Sequence, residues 1–174
     1  MIQTTLDSVT AYRIHCPKWA FAPTSGEGAA RHGGRVNRPG VAALYLALDA
    51  KTAISEYQQV SRLVPPGTLV SYQVTAAPVI DFSNGYSPAD WDSLWEDFNC
   101  DWRALWYDQR VEPPSWVLGD QMIAAGAKGI LFESRLEPGG RNLALYTANL
   151  APTDLILAYD PNEALPKNQA SWLP

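Results

Sequence analysis

Residues 25–40, SGEGAARHGGRVNRPG, hold five glycines and three arginines in sixteen positions. Arginine offers a rigid fork of N–H donors matched to phosphate, and glycine lets backbone N–H groups close on a ligand; together they suit an anion-binding loop. The spacing matches neither GxxxxGK[ST] nor a strand-to-helix GxGxxG, which disfavours a nucleoside triphosphatase. Taken alone, the stretch is equally compatible with a solvated surface loop.

Three further residues carry chemical potential. In ALYLAL (43–48) Tyr45 stands between Ala43 and Ala47 on one strand face, with Leu44, Leu46 and Leu48 on the other. Small neighbours leave its ring available as a platform for a flat ligand, or as core filling beside the next helix. Glu56, eleven residues on, falls on the shoulder of a helical apolar face, where a half-buried acid needs a partner. Ser134 closes KGILFES on the face of Ile130 and Phe132, so its hydroxyl emerges at the end of a buried strand.

These residues need elements to hold them. TAYRI (10–14) reads as a first strand, followed by an irregular Pro- and Gly-rich stretch to Gly40. ALYLAL is a strand; Asp49 caps a helix through AKTAISEYQQV, whose apolar positions are Ala53, Tyr57 and Val60, ended by Pro65, Pro66 and Gly67. TLVSYQVT (68–75) and PVIDF (78–82) read as two strands of one sheet. In the Trp-rich segment, Trp91, Leu94, Trp95, Phe98, Trp102, Leu105 and Trp106 fall near one helical face, predicting a core-facing helix or helix pair. PPSWVLGDQMIAAG predicts a helix with Ser115 as N-cap and Gly126 at its end; KGILFES and NLALYTAN predict two strands. The tail from Asp160, with Pro161, Pro166 and Pro174, shows no period. The pattern describes a single α+β domain of 174 residues.

Composition excludes several classes. A hydrophobic fraction of 47% against 18% charged residues indicates a packed core. A net charge of -5 argues against broad nucleic-acid binding, which neutralises many phosphates at once. Cys16, Cys100, His15 and His32 lack metal-ligand spacing, so buried reduced thiols and no metal are expected. The first residues carry no signal-peptide pattern, and no run reaches membrane-span length, which points to the cytosol.

Tyr12 and Arg13, the GEGAARHGGRVNRPG loop, Tyr45, Glu56 and the late FES ending in Ser134 together resemble the RES domain over about residues 10–150. That family is named for its Arg, Glu and Ser and supplies the toxin of RES–Xre toxin–antitoxin pairs. Val36 departs from the aromatic residue many relatives carry between the Arg and Asn of this motif. The resemblance implies a mixed β core similar to ADP-ribosyltransferases of the diphtheria-toxin type, and an activity that consumes NAD⁺. It implies Arg35, Tyr45, Glu56 and Ser134 as catalytic residues, with Arg13, Arg31, Gly34 and Asn37 binding the substrate. It further implies an Xre-type helix-turn-helix antitoxin as partner, and either inorganic phosphate or a protein as acceptor of the ADP-ribose. Arg38 is a surplus cation that suits a phosphate acceptor or simply solvent. The residues themselves leave open a non-catalytic nucleotide- or phosphate-binding module that acts through a protein partner.

Overall fold

The computed structural model describes residues 1–170; the end of the proline-containing tail, Pro174 included, lies outside the described residues. The strands are β1 (Gln3–His15), β2 (Ala43–Ala47), β3 (Thr68–Phe82), β4 (Gly129–Glu133), β5 (Arg141–Tyr146) and β6 (Leu155–Ala158). The α-helices are α1 (Glu27–His32), α2 (Ala50–Gln58) and α3 (Pro114–Ala124). Strand pairing runs β1-β2-β5-β4-β3-β6, and β1 also pairs β3, so five strands return on themselves. The result is a mixed α+β domain with a sheet core.

The alternation in ALYLA separates two cores. Leu44 and Leu46 join Leu143, Leu145 and Leu131 against Ala11, Val70, Tyr72 and Val74 of β1 and β3. Ala43 and Tyr45, one residue out of phase, face the other cluster with Ala144, Tyr146, Ile130 and Phe132. Each buried leucine contributes about 1.5–3 kcal/mol, and a one-residue slip in register would exchange the faces. Register therefore fixes which side of the sheet Tyr45 occupies.

TLVSYQVT and PVIDF form one strand rather than two. One edge is antiparallel to β1 from Thr68 to Ile80; on the other, Tyr72–Thr75 pairs with β6 and Val79–Phe82 runs parallel to β4. Pro78 lies between the β6 and β4 pairings; it has no N–H to give, and its carbonyl accepts from the Lys128 N–H at 2.8 Å. The Trp-rich segment also differs from expectation, forming a 3₁₀ helix at Ser93–Asn99 and a π-helix at Ala104–Gln109. Trp91, Trp95, Phe98 and Trp102 are nonetheless buried, as the spacing predicts. Phe82 sits among them, its ring centroid 4.5 to 5.0 Å from those of Phe98, Trp95 and Trp91.

Asp49 caps α2 as expected: Oδ1 accepts from the Thr52 N–H at 2.8 Å and Oδ2 from the Thr52 hydroxyl at 2.6 Å. The helix stops at Gln58, however, and Val60 is 95% exposed rather than part of its apolar face. In α3 the N-cap position is Pro113, with Pro114 at N1, where a missing N–H costs nothing. Ser115 is inside the first turn and buried. Cys16 is exposed and Cys100 half-buried, both free, so the expectation of buried thiols is corrected.

His15 is 6% exposed, with Nε2 2.5 Å from the Tyr72 hydroxyl, whose proton goes to the Pro23 carbonyl. Burial, and then the Arg13 charge, pushes its pKa down from 6.5 to about 4. The unfolded chain thus holds this proton more tightly than the folded one. Stability should fall as the pH drops from about 6.5 through about 4, by up to about 3 kcal/mol, and be insensitive to this group above that window. Chemical denaturation of wild type and His15→Gln at pH 7 and 4.5 checks it: the variant should lose less stability on acidification. Equal losses would contradict the assignment.

Candidate functional site

The glycine-arginine stretch is built as a short helix followed by a tight loop. At the C-terminus of α1, Gly33 takes φ +76, and the Gly34 N–H then donates to the Asn37 carbonyl at 2.9 Å. Asn37 is fully buried; its amide donates to the carbonyls of Ala29, Arg38 and Val41, and its Oδ1 accepts from the Tyr45 hydroxyl at 2.7 Å. The Val36 N–H in turn donates to the Tyr45 oxygen at 3.1 Å. Asn37 therefore braces the loop and Tyr45 instead of facing a ligand. Gly34 leaves room for that brace, since a Cβ there would overlap the Tyr45 hydroxyl.

Helix α3 and the end of β5 carry the loop from behind. Trp116 Nε1 donates to the Gly34 carbonyl at 2.6 Å, and the Tyr146 hydroxyl donates to the Val36 carbonyl at 3.0 Å. Held at both flanks, Arg35 extends forward and its Nη1 donates to the carbonyls of Phe98 and Cys100, each at 3.2 Å.

Arg35 enters a cleft of about 510 Å³ shared with Arg13, Tyr45, Glu56, Phe132 and Asn142. Glu56 comes from α2, Tyr45 from β2, Asn142 from β5 and Arg13 from β1. The Glu56 Oε1 accepts from the Ser134 hydroxyl at 2.7 Å and from the Asn142 amide at 2.6 Å. Ser134 is itself fixed, accepting from the Leu136 and Glu137 N–H groups at 3.1 Å each. Its one hydroxyl proton is thus spent on Glu56. Both side-chain donors to this carboxylate converge on one oxygen, leaving Oε2 without a side-chain partner among the described residues.

Opposite in charge, Arg13 is half-buried, and its buried Nη1 has no hydrogen-bond partner among the described residues. Burial lowers its pKa, with Tyr72 and Tyr45 opposing. Burial and then Arg135 lower that of Arg35. Burial pushes the Tyr45 phenol well above its ordinary value, so it remains a hydroxyl, and its ring lines the cleft beneath a fully engaged oxygen. A buried cation without a partner is costly, and an anion entering the cleft would satisfy it.

Two candidate cations stand elsewhere. Arg31 is outside the cleft, its guanidinium 5.9 Å from the centroid of the Trp19 ring. Arg38 is bound by Glu112 at 2.6 Å and by Asp120 at 2.5 Å, which removes it as a holder of a phosphate acceptor. Asn142, Arg103 and Arg135 also line the cleft but were not singled out by residue type. Asn142 had a signal: in NLALY it shares the strand face of Ala144 and Tyr146, the side of the sheet that Tyr45 occupies, and pairs in register with Ala47 and Phe132. Among the described residues, no three or more His, Cys, Asp or Glu side chains are grouped to hold a metal. Nor is any described helix long and apolar enough to cross a membrane.

The sequence matches the family model described as RES domain over residues 10–168. No curated protein matches it. Among solved structures, the fold is similar to a chain in the crystal structure of the M. tuberculosis MbcT–MbcA toxin–antitoxin complex, with a TM-score of 0.64 and 22% identity. That alignment covers 91% of this chain and 85% of the other.

Proposed function

Because the chain belongs to the RES domain family, we propose that it is the toxin of a toxin–antitoxin pair and an enzyme that cleaves the nicotinamide–ribose bond of NAD⁺. The observation that carries this reading is the charge content of the cleft. It holds Arg35, the half-buried Arg13, whose Nη1 has no hydrogen-bond partner among the described residues, and the Glu56 carboxylate, clamped at one oxygen. A dinucleotide with an anionic diphosphate and a cationic nicotinamide ring complements both signs.

In this reading Arg13 and Arg35 hold the diphosphate, and Tyr45 supplies the face for the nicotinamide ring. Cleavage of this bond develops positive charge on the ribose, as in glycoside hydrolysis. Glu56 accepts from ribose hydroxyls through Oε2 and stabilises that charge, while Ser134 and Asn142 hold its orientation so that no reorganisation is needed during reaction. Nicotinamide leaves neutral, so neither a covalent nucleophile nor a proton donor is required. The acceptor is inorganic phosphate or a protein side chain, and an Xre-type antitoxin is the proposed partner that restrains the enzyme. The acidic net charge of -5 agrees with leaving DNA contact to that partner.

Adenylate-labelled NAD⁺ tests the reaction. Label in ADP-ribose-1″-phosphate, dependent on added phosphate, identifies the phosphorylase; label on a protein band identifies the transferase. Label remaining in NAD⁺ under both conditions would refute the enzymatic reading and leave a binding module.

The orphaned guanidinium makes a separate prediction. Arg13→Met removes a half-buried charge whose Nη1 has no partner among the described residues, so the free protein should gain about 1–2 kcal/mol while ADP-ribose binding is lost. Thermal melts and calorimetry on the same sample check both halves. A destabilised variant that still binds would show that Arg13 serves packing alone.

A further inference from the structure

We infer that Arg103 and Arg135, beside Arg35, form a subsite for a phosphate group on the lip of the cleft; this rests on the reading of the cleft as a dinucleotide site. Three consecutive carbonyls gather two of these cations. Phe98 and Cys100 accept from Arg35, and Asn99 between them accepts from Arg135 at 3.0 Å. Arg103 follows three residues later, its guanidinium 4.5 Å from the centroid of the Trp102 ring, and lines the same cleft. The proximity of Arg135 helps lower the pKa of Arg35.

Like charges gathered in this way repel unless an anion joins them. Among the described residues no ion pair includes Arg35, Arg103 or Arg135, in contrast to Arg38 with its two carboxylates. The acids lining the cleft form no ion pair with these arginines; Glu56 acts on Arg35 only through space. Glu56 is held by Ser134 and Asn142, Asp101 accepts from the Ala104 N–H at 3.1 Å, and Glu133 accepts from the Gly139 N–H at 3.4 Å. Carbonyl anchoring uses one nitrogen of Arg35 and one of Arg135, leaving the rest of each fork for a tetrahedral oxyanion. That oxyanion is either free inorganic phosphate or part of the dinucleotide diphosphate.

Calorimetric titration of the full chain with inorganic phosphate and, separately, with ADP-ribose distinguishes these sources. The variants are Arg103→Gln, Arg135→Gln and their double, with the exposed Arg62→Gln as a charge control. The double variant should weaken at least one titration by about tenfold or more. Loss for phosphate alone assigns the subsite to the acceptor, and loss for ADP-ribose assigns it to the diphosphate. Changes below about twofold for both ligands, equal changes in Arg62→Gln, or a wild type that binds neither ligand would overturn the inference. Arginine-dependent binding of phosphate without any binding of ADP-ribose would sustain the subsite and refute the dinucleotide reading instead.

Discussion

Glu56→Gln should lower kcat for nicotinamide release by about 10²–10³-fold while leaving the fold and ADP-ribose affinity within a few-fold of wild type. A glutamine oxygen can still accept from Ser134 and Asn142, which lie 2.7 and 2.6 Å from the present Oε1. The substitution therefore removes the charge and keeps the shape. Steady-state kinetics beside calorimetry separate the effects: a large loss of kcat with preserved affinity is the signature of a group that acts on the transition state. Near-wild-type turnover would remove Glu56 from the reaction. An equal loss of affinity would make it a binding residue only.

The second large effect is expected far from the reacting atoms. Gly119→Val should destabilise the fold by about 3 kcal/mol or more, lowering Tm by about 10 °C, and should suppress activity with it. Gly119 lies on the buried face of α3, where a Cβ would overlap the Val36 carbonyl and come within 3.3 Å of the Tyr146 hydroxyl. The Val36 carbonyl is also the acceptor that ties the arginine loop to Tyr146. Backbone cannot step aside as a flexible side chain would, so the added methyls must push α3 away from the loop that presents Arg35. Gln121→Val, on the exposed side of the same helix, carries the β-branching without the collision and should melt within a few degrees of wild type. Thermal melts of the two variants decide this: similar melting would show that α3 does not brace the loop.

What could be read before folding follows from the range of the forces involved. The strand containing Tyr45 and the strand KGILFES declare themselves by local alternation, and Asp49 declares the start of α2 by a contact spanning three residues. Glu27–His32 does not, because its N-cap is Gly26, without a side-chain cap, and its residues read as loop. The Trp-rich segment shows the limit of periodicity: its aromatic rings reach the core, yet Asp92 at the N-cap and a turn at Cys100 impose 3₁₀ and π geometry in place of one α-helix. Leu155–Ala158 becomes a strand only because β3 offers it an edge from Tyr72 to Thr75.

The site divides in the same way. Arg35, Tyr45 and Glu56 stand out by type and neighbourhood, and the fold brings them to one cleft. Arg31, equally prominent in the sequence, points to Trp19, and Arg38 is taken by acids from the segment preceding α3 and from α3 itself. Asn142 and Arg135 owe their positions to partners 86 and 36 residues away in the chain. Such pairings depend on sheet closure rather than on any local pattern.

Nicotinamide release from NAD⁺ by the purified chain, free of any partner protein and assayed with and without phosphate and protein acceptor, tests the central claim most directly. The account predicts release by the wild type in at least one of these conditions, reduced about a hundredfold or more in Glu56→Gln. A folded wild-type chain that binds ADP-ribose yet releases no nicotinamide in any of them would contradict it.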